Sequence, residues 1–228
     1  WVEKQTNGKI TNILSEENRG YVCALANAIY MKADWVNKFE KEGTYKETFT
    51  DINGDESEID FMHQAADFKY YENGDTKAVK LPYENGLSMV VVLGDTKNIL
   101  NDIHNNKMTS KLVDVSLPKF KAEYSIDYVN ILKNMGIEKA FDNQNADFSL
   151  MLENYPERIK IDSVLQKAMI DVDEKGTEAA AATVAVVPKS ALSVDEEVIE
   201  FRADKPFTYY VLDDSGNVYF AGRYVKAA

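Results

Sequence analysis

Most hydrophobic positions fall in short runs rich in Val, Ile, Tyr and Phe, punctuated by Asn-Gly pairs. Residues 21–32 are apolar on both faces, which predicts a strand buried in the middle of a large sheet. Residues 44–50 and 57–62 alternate and flank Asn53-Gly54, the pattern of a hairpin. Residues 67–71, 77–82 and 87–93 predict three more short strands. Asn73-Gly74 and Asn85-Gly86 separate them, giving a meander with turns of the primed type. Residues 111–120 alternate and end irregularly at Leu117-Pro118. Residues 159–172 are mainly strand. Phe201 and residues 207–224 hold two or three more, with a turn at Ser215-Gly216-Asn217.

Helical spacing is confined to three places. Residues 1–9 read as the end of a helix stopped by Asn7-Gly8. Ile99, Leu100 and Ile103 predict a helix within 97–112. Ile126, Val129, Ile131, Leu132 and Met135 predict another over 125–135, closed by Gly136. Strand runs broken by a few helices, without regular alternation, predict an α+β fold rather than a parallel Rossmann-type sheet. No repeat, linker or domain boundary stands out.

One stretch fits neither pattern. It runs Glu174-Lys175-Gly176-Thr177-Glu178-Ala179-Ala180-Ala181-Ala182-Thr183, then Val184-Ala185-Val186-Val187-Pro188-Lys189-Ser190-Ala191-Leu192. Four alanines favour helix, the valines favour strand, and Pro188 breaks either. Before Val184 no large apolar side chain can anchor the segment to a core. As a strand it would put Thr177, Ala179, Ala181 and Thr183 on one face, all small and uncharged. Such a strand could slot between two others above a packed core, with Gly176 as hinge. The segment is therefore compatible with an exposed loop and with an interior strand. A plain alanine-rich linker is the bland alternative.

Charge and chemistry narrow the function. The net charge of −12 argues against nucleic acid, heparin-like polyanions and anionic membranes as main partners. No run approaches the length of a membrane helix. The single cysteine, Cys23, sits in an apolar run and is expected to be a buried, inert thiol. Of the two histidines, His104 is expected to be solvated and His63 structural. No nucleophile elbow, phosphate loop or metal-spaced Cys/His cluster occurs, so no catalytic residue, metal or cofactor is assigned. Asp51-Ile52-Asn53-Gly54-Asp55 has some likeness to a calcium loop. Glu56 replaces the required glycine and Met62 the closing glutamate, so it reads as a turn.

The order of motifs resembles that of the serpins. Trp1-Val2-Glu3-Lys4-Gln5-Thr6-Asn7-Gly8 is similar to the end of the helix in front of the main sheet. Asn27-Ala28-Ile29-Tyr30-Met31-Lys32-Ala33-Asp34-Trp35 is similar to a central strand leading to a near-invariant Trp. Leu117-Pro118-Lys119-Phe120 resembles the strand facing the hinge. Residues 173–183 resemble the hinge of inhibitory members, Phe201-Arg202-Ala203-Asp204-Lys205-Pro206-Phe207 the C-terminal signature, and Asn217-Val218-Tyr219-Phe220-Ala221-Gly222-Arg223 the closing strand. Gln166 stands where many members have a histidine that joins a cluster with the residue matching Asn27. Thr208 is polar where the signature is usually apolar.

The resemblance implies a fold with a large, mainly antiparallel central sheet, further sheets and surrounding helices. Residues 1–228 would be the C-terminal portion of a single serpin domain, with a reactive-centre loop at about 174–200. The N-terminal elements would come from elsewhere, and the chain alone is expected to be poorly stable. The implied function is suicide inhibition of a serine protease; a carrier, storage or chaperone role is the alternative. Counting Glu174 as the first residue, the seventeenth is Ser190. The scissile bond is therefore expected at Ser190-Ala191, with Lys189-Ser190 as runner-up. A small residue there suits elastase-like or subtilisin-like enzymes; Lys189 would suit trypsin-like ones. Asn27, Trp35, Lys119 and Gln166 are expected to control sheet opening, with Lys119 pairing to Glu174. A secreted location follows from the resemblance alone.

Overall fold

The computed structural model describes residues 1–14, 20–31, 33–151, 159–177 and 198–227. The chain forms two compact units, residues 1–31 with 122–170 and residues 32–121 with 171–228.

The first unit opens with helix α1, Val2–Gln5. The chain reverses with Asn7 and Gly8 at φ 51° and 77°, and Gly8 N–H bonds back to the Glu3 carbonyl at 2.7 Å, as the Asn-Gly signal predicts. A three-stranded sheet follows in the order β1 (Ala24–Tyr30), β9 (Ser163–Val172), β8 (Phe120–Asp127). β1 and β9 run parallel, in register from Ala24 opposite Ser163 to Tyr30 opposite Met169. No strand lies between them over that register.

β1 is shorter than the predicted 21–32 and is not buried. Leu25, Ala26 and Asn27 are exposed. Among the described residues β1 is an edge strand with one neighbour, so the apolar run is not enclosed on both sides. Cys23 is half-buried rather than buried. The predicted helix 125–135 also contracts, to α3 at Val129–Asn134. Residues 125–127 belong to β8 because the Asp127 carboxylate ties strand to helix. It accepts from Val129 N–H at 3.0 Å, from Val164 N–H at 3.2 Å and from the Ser163 hydroxyl at 2.5 Å.

The second unit is built on an eight-stranded sheet. Its path is β11 (Ile199–Arg202), β7 (Thr109–Pro118), β4 (Glu56–Asn73), β5 (Thr76–Pro82), β6 (Ser88–Leu93), β12 (Phe207–Leu212) and β13 (Val218–Tyr224), and β3 (Tyr45–Thr50) pairs with β4. β4 is one strand of 18 residues where the sequence predicts two. Residues 62–66 contain no turn former, and β7 provides a continuous partner from Phe61–Pro118 to Tyr70–Thr109. Helix α2 is only Ile99–His104, because Asn106 turns to φ 55° and β7 begins at Thr109, well short of the predicted end at 112.

The turns are not all of the primed type. At 51–54 and 83–86 only the glycine has positive φ. Asp51 Oδ1 accepts from Asn53 N–H and Asn85 Oδ1 from Leu87 N–H, holding each chain in an Asx turn. Only the two-residue connection Gly74-Asp75, with Gly74 at φ 57°, remains consistent with a primed turn.

Two groups of packed side chains stand out among the described residues of this unit. One joins Tyr71, Ala78, Val90, Val92, Ile99, Met108 and Leu212. The other is aromatic: Phe120 lies 5.8 Å from Phe207, 5.2 Å from Tyr209 and 5.2 Å from Tyr224, with Phe49 edge-on to Tyr224. The Tyr209 ring lies across its register partner Gly222, where a β-carbon would collide with it. Gly222→Ala is predicted to lower stability by about 1–3 kcal/mol, read as a lower urea midpoint. Adding Tyr209→Leu should recover part of that loss; an unchanged midpoint in the single variant would show that the ring is free to move aside.

Candidate functional site: the base of the loop

β9 ends at Val172, and the chain then makes a tight turn. Asp173 and Gly176 exchange backbone hydrogen bonds of 3.0 and 3.2 Å, and Asp173 Oδ1 accepts from Lys175 N–H at 2.9 Å. Three successive carbonyls point outward from this turn, and each finds a donor. Trp35 Nε1–H donates to Asp173 at 2.9 Å, Phe39 N–H to Glu174 at 2.8 Å and Trp35 N–H to Lys175 at 2.8 Å. Gly176–Thr177 then pairs antiparallel with Asp34 and Ala33, the short strands β10 and β2 (Ala33–Asp34).

The donors are fixed in place by aromatic packing. Trp35 is 1% exposed, stacks on Tyr83 at 4.1 Å and meets Phe39 edge-on at 6.2 Å. The strap 34–39 is also tied on its other side, by Val36 N–H to Pro82 and Glu84 N–H to Asp34. Gly176 is required: its φ is 136°, and a β-carbon there would overlap the Ala33 carbonyl.

Glu174 adds an ion pair. Its side chain is 8% exposed, and Lys119 Nζ donates to Oε1 at 3.0 Å. Burial opposes its ionisation, but backbone hydrogen bonding and the Lys119 ammonium outweigh burial and hold the carboxyl below its ordinary value. The linked stability is therefore complete above the usual glutamate range and is lost as pH falls through the lowered value.

The structure thus gathers Trp35, Lys119, Glu174, Lys175 and Gly176 at one place. Asn27 and Gln166 lie elsewhere, opposite each other in the β1–β9 register, with no side-chain hydrogen bond between them. Residues 178–183, Lys189, Ser190 and Ala191 lie outside the described residues. Sequence reasoning missed Phe39 and Tyr83. Their signal was a pair of aromatics close to Trp35 or to the 81–83 strand end, which ordinary core packing also produces.

Residues 1–227 match the sequence model of the family Serpin (serine protease inhibitor). The chain belongs to the serpin family. It is 36% identical to an uncharacterized serpin-like protein of Thermococcus kodakarensis, over 98% of this chain and 54% of that one. It is 33% identical to Serpin B11 of Mus musculus, over 99% and 62%. Among solved structures it resembles Serpin48 of the insect Tenebrio molitor, at TM-score 0.80 and 33% identity, over 100% of this chain and 63% of that one. It also resembles tengpin, a thermophilic serpin in its native state, at TM-score 0.84 and 30% identity, over 100% and 61%. The chain therefore spans between 54% and 63% of the length of these relatives. Human thyroxine-binding globulin has the same fold, at TM-score 0.83 and 26% identity, covering 99% of this chain and 62% of that one.

Lys119→Met leaves a buried carboxylate unpaired and is predicted to loosen this anchor by about 1–3 kcal/mol. Gly176→Ala should loosen it more. Hydrogen exchange at Trp35 N, Trp35 Nε1 and Phe39 N measures this directly. Loss of protection there, with β12 and β13 unchanged, is the expected result; full protection in both variants would show that neither group contributes.

Proposed function

We propose that the full-length protein inhibits a serine protease by suicide trapping. The loop at about residues 174–200 acts as bait. Attack on the scissile bond forms an acyl-enzyme and frees the segment from Gly176 onward. That segment enters the sheet between β1 and β9 as a new antiparallel strand and drags the esterified enzyme with it.

The observation that carries this reading is the direct parallel pairing of β1 with β9, directly upstream of a docked hinge. Parallel pairing is slightly less stable per residue than antiparallel pairing. A strand antiparallel to both would replace one parallel ladder by two antiparallel ones. Chain continuity supports the entry point, since β9 runs straight into 173–177 and Gly176–Thr177 is already antiparallel to β2. Ala179, Ala181 and Thr183 would face inward without steric or charge cost. Ten or so ladder bonds at about 0.5–1.5 kcal/mol each give a driving force of order 10 kcal/mol. The state in which β1 and β9 pair directly would then persist by a kinetic barrier.

Within this proposal the bond cut is Ser190-Ala191, which favours an elastase-like or subtilisin-like target, with Lys189-Ser190 and a trypsin-like target second. The remaining share of the serpin fold completes the sheet, and a secreted site of action rests on the family alone. Incubating the full-length protein with elastase and with trypsin should give an adduct resistant to SDS with the former. Thr177→Arg should be cut without forming that adduct, because an inward unpaired charge costs several kcal/mol. Clean cleavage of the wild type by both enzymes would instead favour a carrier-type role such as that of the thyroxine-binding neighbour.

A further inference from the structure

The mechanism above leaves one half-buried titratable group unused. His63 on β4 lies opposite Ser116 on β7, and Ser116 lies opposite Arg202 on β11, so the three residues form one row across three strands. His63 Nδ1 shares a 2.9 Å hydrogen bond with the Ser116 hydroxyl, and the ring stacks on Tyr45 at 4.2 Å. Its Nε2 is buried without a hydrogen-bond partner, 3.7 Å from Glu47 Oε1 on β3. The other oxygen of the same carboxylate, Oε2, accepts from Arg202 Nη2 at 2.6 Å.

β11 is the strand that receives the chain after the loop. Among the described residues it is an edge strand, paired to β7 over four residues, Ile199–Arg202. The buried Phe201 side chain anchors it, and the Arg202–Glu47 ion pair adds a smaller contact beside His63. We propose that His63 is an acid-responsive latch on β11, which holds while the ring is neutral and weakens when Nε2 takes up a proton.

The chemistry is that of a second cation placed in a half-buried site. With His63 neutral, Glu47 Oε2 holds Arg202 while Oε1 faces the ring without a hydrogen bond. A proton on Nε2 creates a cation close to Arg202 and mostly removed from water. Oε1 can meet it, but the loss of hydration and the repulsion from Arg202 oppose it. The remaining charged neighbours are Asp114 on β7, which favours the imidazolium, and Asp204, 4.0 Å from Arg202 Nε. Burial foremost, then Arg202, lowers the affinity of His63 for a proton, while Glu47 and Asp114 raise it; the net direction is down. A histidine held below its free value keeps its share of stability above that value and loses it as pH falls through the range beneath.

Hydrogen exchange on the full-length protein tests this, comparing pH of about 7.5 with about 5.5 after correction for intrinsic exchange. In the wild type, local opening of residues 199–202 should rise about three- to tenfold in acid, since a proton held more weakly in the closed state favours opening. β12 and β13 should not change. In His63→Gln the acid increment should disappear. Glu47→Gln, which supplies an independent test should the first variant fold poorly, should open β11 at both pH values with a smaller increment. A wild-type ratio near one, an increment retained in His63→Gln, or equal opening of all strands would each overturn the latch. None of these outcomes depends on whether the protein traps a protease, so the two readings fail separately.

Discussion

The capture of three consecutive carbonyls, those of Asp173, Glu174 and Lys175, by donors from Trp35 and Phe39 is the constraint on which the site depends. Buried backbone acceptors must be paired, and here the turn itself satisfies only the Asp173 carbonyl, through Gly176 N–H. The strap 34–39 meets the remaining need because its own position is fixed by the Trp35–Tyr83 stack and by hydrogen bonds to 82–84. The Glu174–Lys119 pair reinforces the anchor from the flank.

The strand pairing in the other unit gains its meaning from that hinge. β1 and β9 are direct neighbours and parallel, a pairing that usually comes with a crossover connection and both faces covered. Here β1 is half-exposed and edge-like among the described residues. Within the proposed trapping function, a strand antiparallel to both would be the more stable way to fill this edge. Ala179, Ala181 and Thr183, small and uncharged, are chemically suited to it.

Much of this was legible in the residues. The α+β class, the hairpin at 53–54, the strands after 199 and the oddity of 174–192 all follow from periodicity and turn chemistry. What failed depended on partners distant in sequence. β4 is continuous because β7 lies along it, and nothing in residues 62–67 announces that neighbour. The burial expected for β1 came from its composition, but burial belongs to whatever surrounds a strand. One failure was local instead: the turn at 83–86 departed from the primed type because the side chain of Asn85 hydrogen-bonds ahead along the chain. At the loop base, Trp35, Lys119 and Gly176 were readable because the family pattern marks them. Tyr83 and Phe39 were not, since a stacking partner of a functional Trp looks in sequence like any core aromatic.

The clamp around 173–175 grips peptide groups upstream of the loop, and Gly176 is admitted for what it lacks. Every contact described in it is made by residues that precede 178. The anchoring of 173–177 is therefore independent of the side chains from 178 onward, so substitutions there leave the clamp's described contacts in place.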